Sequence, residues 1–191
     1  MTVLFLIVAR GGSKRVPGKN LRTINGLSLV GYKIKAAQQS ALCSKIIIST
    51  DDPKIAEEGH RAGVTVLVRP AELATDTATT EDVVRHAMQA CDPLDAIMLL
   101  EPSSPFVRPQ TYDLAIDVMV QLGYDFLFGQ VLYLFQWDWL ATRTDLYDKL
   151  TERTYYFDMD TSESVDINTP HDLDHARWLA ANGYVDLSWA K

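Results

Sequence analysis

Arg10, Lys14, Arg15 and Lys19 crowd into the stretch ARGGSKRVPGKN (9–20), around the adjacent glycines Gly11 and Gly12 and directly behind the apolar run VLFLIVA. These are the ingredients of a phosphate loop. Gly11 and Gly12 would let backbone N–H groups approach phosphate oxygens, and Arg10 and Lys19 would supply charge. Neither standard template accounts for the loop. A Walker A loop places four residues between its first Gly and a Gly-Lys pair and then needs Ser or Thr, whereas five residues separate Gly12 from Gly18 here and Asn20 follows Lys19. The dinucleotide pattern G-x-G-x-x-G is absent as well. A solvated basic turn would explain the cations, but not their concentration behind an apolar strand in an acidic chain.

Three further stretches carry groups able to act on a ligand. RPAELATDTATTED (69–82) offers short hydroxyls and carboxylates that could grip a base or sugar by directional hydrogen bonds, while Thr79 or Thr80 is equally suited to cap a helix. EPSSPFVR (101–108) holds hydroxyls and a carboxylate on a proline-stiffened strand exit, or is an ordinary Ser-Pro turn. In SVDIN (164–168), extended backbone would send Asp166 and Asn168 to one face and Val165 and Ile167 to the core. Two oxygen ligands on one face suit Mg2+, which commonly keeps substrate phosphates and water as its other ligands. The same residues also suit a strand-to-helix turn with a capping Asx residue. His171 and His175 stand at i, i+4, but without H-E-x-x-H and beside Asp172 and Asp174 they read as a solvated acidic turn. His60 and His86 read as helix-surface residues, and no nucleophile elbow occurs.

The elements that must position these groups alternate along the chain. Short apolar runs rich in β-branched residues at 3–9, 45–50 (KIIIST), 64–68 (VTVLV) and 95–100 (DAIMLL) are expected to be strands covered on both faces of a parallel sheet. Helical stretches at 28–40, 53–62, 79–90 and 109–122 separate or follow them. Asp52 is a good N-cap, Pro53 suits the first helical turn and Gly63 suits the left-handed position after the last one. The alternation predicts right-handed crossovers and an α/β fold with a mostly parallel sheet, whose ligands bind beyond the carboxyl ends of the strands. The basic loop, STDD (49–52) and EPSSP (101–105) all follow strands. From 124 to 157, the aromatic pieces YDFLF, QVLYLF and TYYFDM, with a short helix in QWDWLATRTDLYDKL, are expected to extend the sheet. A last helix opens with Thr169 as N-cap, Pro170 at N1 and Asp172 at N3.

A chain of 191 residues suits one domain, 1–191, with one sizeable core. Its 47% hydrophobic and 23% charged residues belong to a globular protein. A net charge of -7 argues against nonspecific nucleic-acid binding, so a basic pocket points to a small anionic ligand. No segment approaches the ~18–20 apolar residues of a membrane helix, and the N-terminal apolar run precedes its basic residues, unlike a signal peptide. The expected setting is cytoplasmic, with Cys43 and Cys91 reduced.

Taken in order, ARGGSKRVPGKNL, STDD, RPAELATDTATT and SVDINTPHDL resemble the motifs of the acylneuraminate (sialic acid) cytidylyltransferase family, densely over residues 3–105 and again over 131–180. The resemblance implies a nucleotidyltransferase-type, Rossmann-like three-layer sandwich that makes a CMP-sugar from CTP and a nine-carbon α-keto acid with Mg2+. It implies that Arg10 and Lys19 hold the triphosphate with Gly11, Gly12 and Ser13, that Asn20, Arg69 and Thr80 line the nucleotide, and that Glu101 lies near the acidic sugar. Asp166 and Asn168 would hold the metal; Arg10, Lys19 and Asp166 would serve catalysis.

Four departures from the family's pattern bear on the acceptor and metal. Asn168 replaces a second Asp, removing one negative charge from the metal pair. Glu101 stands where many members have Gln, and would repel an acidic sugar unless paired with a cation. Val107 takes the place of an Arg, with Arg108 one position late. Near 128–129 the chain lacks a few tens of residues that in relatives form part of the sugar pocket and dimer contact, which leaves a homodimer open.

Overall fold

The computed structural model describes residues 1–142 and 153–191. In chain order the strands are β1 (Val3–Val8), β2 (Thr23–Ile24), β3 (Leu27–Ser28), β4 (Lys45–Thr50), β5 (Thr65–Val68), β6 (Ala96–Leu100), β7 (Phe126–Phe128), β8 (Tyr133–Gln136) and β9 (Thr154–Tyr156). The α-helices are α1 (Leu29–Gln39), α2 (Pro53–Arg61), α3 (Thr80–Gln89), α4 (Pro109–Leu122), α5 (Trp137–Ala141) and α6 (Pro170–Ala181).

Period-two alternation in β1 explains the layering. Val3, Phe5 and Ile7 enter one core cluster, while Leu4 and Leu6 enter the other. The first cluster is completed by α1, α2, α4 and α6, with the Phe5 and Tyr112 rings edge to face at 5.6 Å. The second is completed by α3 and α5 through Val84, Ala87, Trp139 and Leu140. The sheet is thus the middle of three layers.

Its strand order is β5-β4-β1-β6-β8-β7-β9. The pairs β1 with β4, β1 with β6, β4 with β5 and β7 with β9 are parallel; β8 is antiparallel to both β6 and β7. The sheet is mostly parallel, and the carboxyl ends of β1, β4, β5 and β6 share one edge. β2 and β3 form a separate hairpin whose turn residues Asn25 and Gly26 take positive φ angles, as an Asn-Gly hairpin turn requires.

Caps fix where the helices start. Asp52 accepts from the N–H groups of Lys54 and Ile55, and Thr79 and Thr169 each form a reciprocal capping box, with Asp82 and Asp172. The helices expected at 28–40, 53–62, 79–90 and 109–122 occupy those places within one residue at each end.

Two expectations change. VTVLV is not covered on both faces: β5 is an edge strand, and Val68 is 73% exposed. His86 is half-buried, with Nδ1 out of contact with water and unpaired among the described residues. Only residues 137–141 of QWDWLATRTDLYDKL are described as helix, and residues 143–150 of that stretch lie outside the described residues. Residues 129–132 join β7 to β8 directly, closed by the Gly129 N–H on the Leu132 carbonyl at 2.8 Å.

Candidate active site

Beyond the carboxyl edge of the sheet lies a cleft of about 580 Å3. Four segments meet there: the basic loop after β1, the connection from β5 to α3, the exit of β6, and Asn168 ahead of α6. Of the residues singled out by sequence, Arg10, Ser13, Lys19, Asn20, Arg69, Thr80, Glu101 and Asn168 line the cleft, whereas Gly11, Gly12 and Asp166 do not.

The loop's glycines act on its shape. Gly11 donates its N–H to Asp51 Oδ1 at 2.9 Å, and a Cβ at Gly11 would fall 2.7 Å from Asp52 Oδ2. Gly11 therefore lets STDD brace the loop, and its N–H is not offered to a phosphate. Gly18 takes the left-handed conformation, φ 64°, that turns the chain into the short 3-10 helix Lys19–Leu21. Val16 is buried beneath, and Asn20 Nδ2 donates to the Arg10 carbonyl at 2.8 Å, tying the end of the loop to its beginning. This closure aims Lys19 inward.

Lys19 Nζ donates to the Ile167 carbonyl at 2.9 Å. Ile167 is fully buried and donates its own N–H to the Ser103 carbonyl at 2.8 Å, so SVDIN is tied to the exit of β6 without belonging to a strand. Its side-chain alternation holds nonetheless: Asn168 Nδ2 donates to Asp166 Oδ2 at 2.6 Å, on the face away from Ile167. Asn168 Oδ1 accepts from Arg15 at 3.3 Å. One carboxylate and one amide oxygen form a donor set that Mg2+ accepts when phosphates and water complete its shell. Among the described residues no group of three or more His, Cys, Asp or Glu side chains could hold a metal by itself.

Electrostatics separate the cations of the cleft. Burial lowers the Lys19 ammonium, an effect opposed first by Asp166 and reinforced by Arg15. Burial also lowers Arg69, a guanidinium fixed by Nε on Ser49 Oγ at 3.2 Å and Nη2 on the Ser49 carbonyl at 2.9 Å. Arg10 Nη1 donates to the Thr75 carbonyl at 3.0 Å and lies 3.0 Å from Asp76 Oδ1. Thr79 caps α3, which leaves its neighbour Thr80 on the cleft wall.

Glu101 is raised by burial and then by Asp166, against the opposing pull of Lys19 and Lys33. Lys33 is a residue that sequence reasoning missed. It is fully buried on α1, donates from Nζ to the Tyr112 hydroxyl at 2.8 Å, and is lowered by burial to about 7, with Glu101 the first of the carboxylates opposing that fall. A lysine within the apolar face of α1 carries no sequence signal until packing encloses it. Arg108, one position late in the sequence, is engaged elsewhere: its Nε and backbone N–H donate to the buried Glu163 at 2.7 and 2.8 Å, and Thr111 Oγ1 donates to the same carboxylate at 2.7 Å.

A polar cleft lined by cations at the carboxyl edge of a parallel sheet lies where nucleotide-binding α/β folds hold their phosphate ligands. Residues 4–173 match the cytidylyltransferase family, and the chain belongs to that family. It is 40% identical over 123 residues to the CMP-N,N'-diacetyllegionaminic acid synthase of Legionella pneumophila, covering 62% of this chain and 53% of that protein. It is 32% identical over 133 residues to N-acylneuraminate cytidylyltransferase A of Danio rerio, covering 69% of this chain and 31% of that one. The chain therefore spans about half the length of the first relative and about a third of the second. The structure of CMP:2-keto-3-deoxy-manno-octonic acid synthetase complexed with CTP superimposes with a TM-score of 0.78 at 18% identity, over 96% of this chain and all of that one. A cytidylyltransferase from Leptospira borgpetersenii superimposes with a TM-score of 0.76 at 19% identity, over all of this chain and 90% of that one. At such identities the structures share the fold.

Proposed function

We propose that the protein transfers CMP from CTP to the anomeric hydroxyl of an acidic, sialic acid-like nine-carbon sugar and releases pyrophosphate. The observation that carries this reading is the convergence of Arg10, Lys19, Arg69 and Glu101 on one cleft in a chain of the cytidylyltransferase family. The names of the Legionella and Danio relatives supply the acceptor class.

In this mechanism Arg10 and Lys19 neutralise the triphosphate with help from Ser13, while Asn20, Arg69 and Thr80 hold the nucleoside. The sugar oxygen bonds to the α-phosphorus, the bond to the bridging oxygen breaks, and pyrophosphate leaves with that electron pair; the hydroxyl proton passes to water. Asp166 and Asn168 would hold Mg2+, which supplies charge neutralisation on phosphate oxygens when bound. Lys19, donating to the Ile167 carbonyl, keeps the phosphate loop against that pair. Glu101 borders the acceptor, and Lys19 and Lys33 temper the repulsion that its carboxylate would exert on an acidic sugar. CTP as substrate and two free cysteines support a cytoplasmic setting. No described helix is long and apolar enough to cross a membrane.

Pyrophosphate release from CTP and Mg2+, measured across a panel of acidic nine-carbon keto sugars, tests the reading. Turnover with at least one acceptor is expected, and Lys19→Ala or Asp166→Ala should abolish it. CTP binding without turnover on any acceptor would instead identify a nucleotide-binding homologue without catalysis, the outcome that the Asn168 substitution and the direct β7 to β8 connection would then explain.

A further inference from the structure

Asp76 lies in the connection between β5 and α3, on the wall of the cleft, and is no part of the phosphate loop. Both of its carboxylate oxygens are nevertheless taken by that loop. Oδ1 is 3.0 Å from Arg10 Nη1, and Oδ2 pairs with Lys14 Nζ. The pairing is exposed: the Asp76 side chain is 44% accessible and that of Lys14 is 82% accessible. A carboxylate thus sits on two cations at the place where a polyphosphate must find them.

We propose that Asp76 is a built-in competitor for the phosphate-binding cations, displaced from Arg10 and Lys14 when a polyphosphate binds and returning to them as pyrophosphate leaves. The inference rests on the reading of the cleft as a nucleoside triphosphate site. A strut that orients Arg10 is the other role such a carboxylate could have. Arg10 already has a separate anchor, however, because Nη1 donates to the Thr75 carbonyl at 3.0 Å. The Thr75 segment braces itself in turn, with Thr75 Oγ1 accepting the Ala78 N–H at 3.1 Å. The loop and Arg10 therefore stay joined without the carboxylate, and what the carboxylate adds is a negative charge.

Energetics favour exchange. An exposed ion pair contributes little in water, whereas a polyphosphate carries more charge than a single carboxylate and offers charge-assisted hydrogen bonds to Arg and Lys together. Polyphosphate can displace Asp76, and Asp76 in turn weakens its retention. A nucleoside without phosphates does not meet this competition. Asp76 would accordingly limit product inhibition by pyrophosphate and leave recognition of the base untouched.

Calorimetric titration of the unsubstituted chain, Asp76→Asn and Asp76→Ala with inorganic pyrophosphate and with cytidine, in magnesium buffer, tests the inference, with ligand-free melting temperatures confirming that the variants fold. Both variants should bind pyrophosphate roughly two- to fivefold more tightly, the range set by an exposed ion pair, and bind cytidine unchanged. The gain should shrink as salt is added. Equal binding would make Asp76 a bystander and weaker binding would make it a strut; either overturns the inference, as does a failure of all three proteins to bind pyrophosphate. Preference for CTP over ATP is a separate measurement, so the cytidylyltransferase reading can fail while the effect of Asp76 stands, and the reverse.

Discussion

Lys33 shows how a single residue can shape both the site and stability. Fully buried, with an ammonium lowered to about 7 against an ordinary value near 10.5, it binds fewer protons in the folded chain than in the unfolded chain between those two pH values. Stability therefore rises with pH across that window and is independent of Lys33 titration below it, where both states are protonated. Relative to Lys33→Met, the unsubstituted chain should gain about 2 kcal/mol between pH 7 and pH 9, measured by urea unfolding at each pH. An unchanged difference would mean that Lys33 keeps its charge in the interior. Sequence reasoning passed over Lys33 because its type says surface; only the packing of α1 against Tyr112 encloses it. Arg10 and Lys19 were legible because their types and spacing are unusual on their own, whereas Asn20 was legible only through the family resemblance. Gly11 was legible as a glycine that matters, yet its reason is the approach of Asp51 and Asp52 from forty and forty-one residues away.

At the scale of elements, capping and turn chemistry made the helices and the β2-β3 hairpin readable. Thr79, Thr169 and Asp52 act through hydrogen bonds to residues no more than three positions away, a distance that sequence contains. The β7 to β8 connection depends on more distant contacts. A Cβ at Gly129 would stand 2.7 Å from the Phe157 carbonyl oxygen and 3.1 Å from Met159 Sδ, and the Phe157 N–H donates to the Phe128 carbonyl at 2.7 Å. Gly129 is therefore the place where the chain after β9 crosses the hairpin. Gly129→Ala should destabilise the protein by about 1–3 kcal/mol, the usual cost of overpacking a closed site, with the loss read from the urea midpoint. An unaffected midpoint would show that the crossing can yield.

For the whole molecule, the proposed ligand couples the cleft to the fold. The basic loop, the β5 to α3 connection, the β6 exit and SVDIN are held together by contacts such as Ile167 to Ser103 and Lys19 to Ile167, so a ligand that bridges them stabilises the folded state against the unfolded one. CTP with Mg2+ at about a hundred times its dissociation constant should add about 2.7 kcal/mol, or roughly 5–10 °C in melting temperature for a chain of this size. ATP and GTP should add less. Equal shifts for the three nucleotides would rule out selectivity for cytidine while leaving a general triphosphate site.

The alternation of apolar runs with capped helices determined the α/β layering from sequence alone, because the period of two in β1 and the local hydrogen bonds of each cap require no distant partner. The motif order determined the family. Tertiary structure alone decided that VTVLV is an edge strand, that STDD braces the phosphate loop, that Arg108 serves the buried Glu163, and that Asp76 sits on Arg10 and Lys14. Each of those outcomes joins residues far apart in the chain. Their physical cause is the parallel sheet, whose crossovers bring the exits of separate strands to one edge, and spacing along a sequence does not encode which side chains meet there.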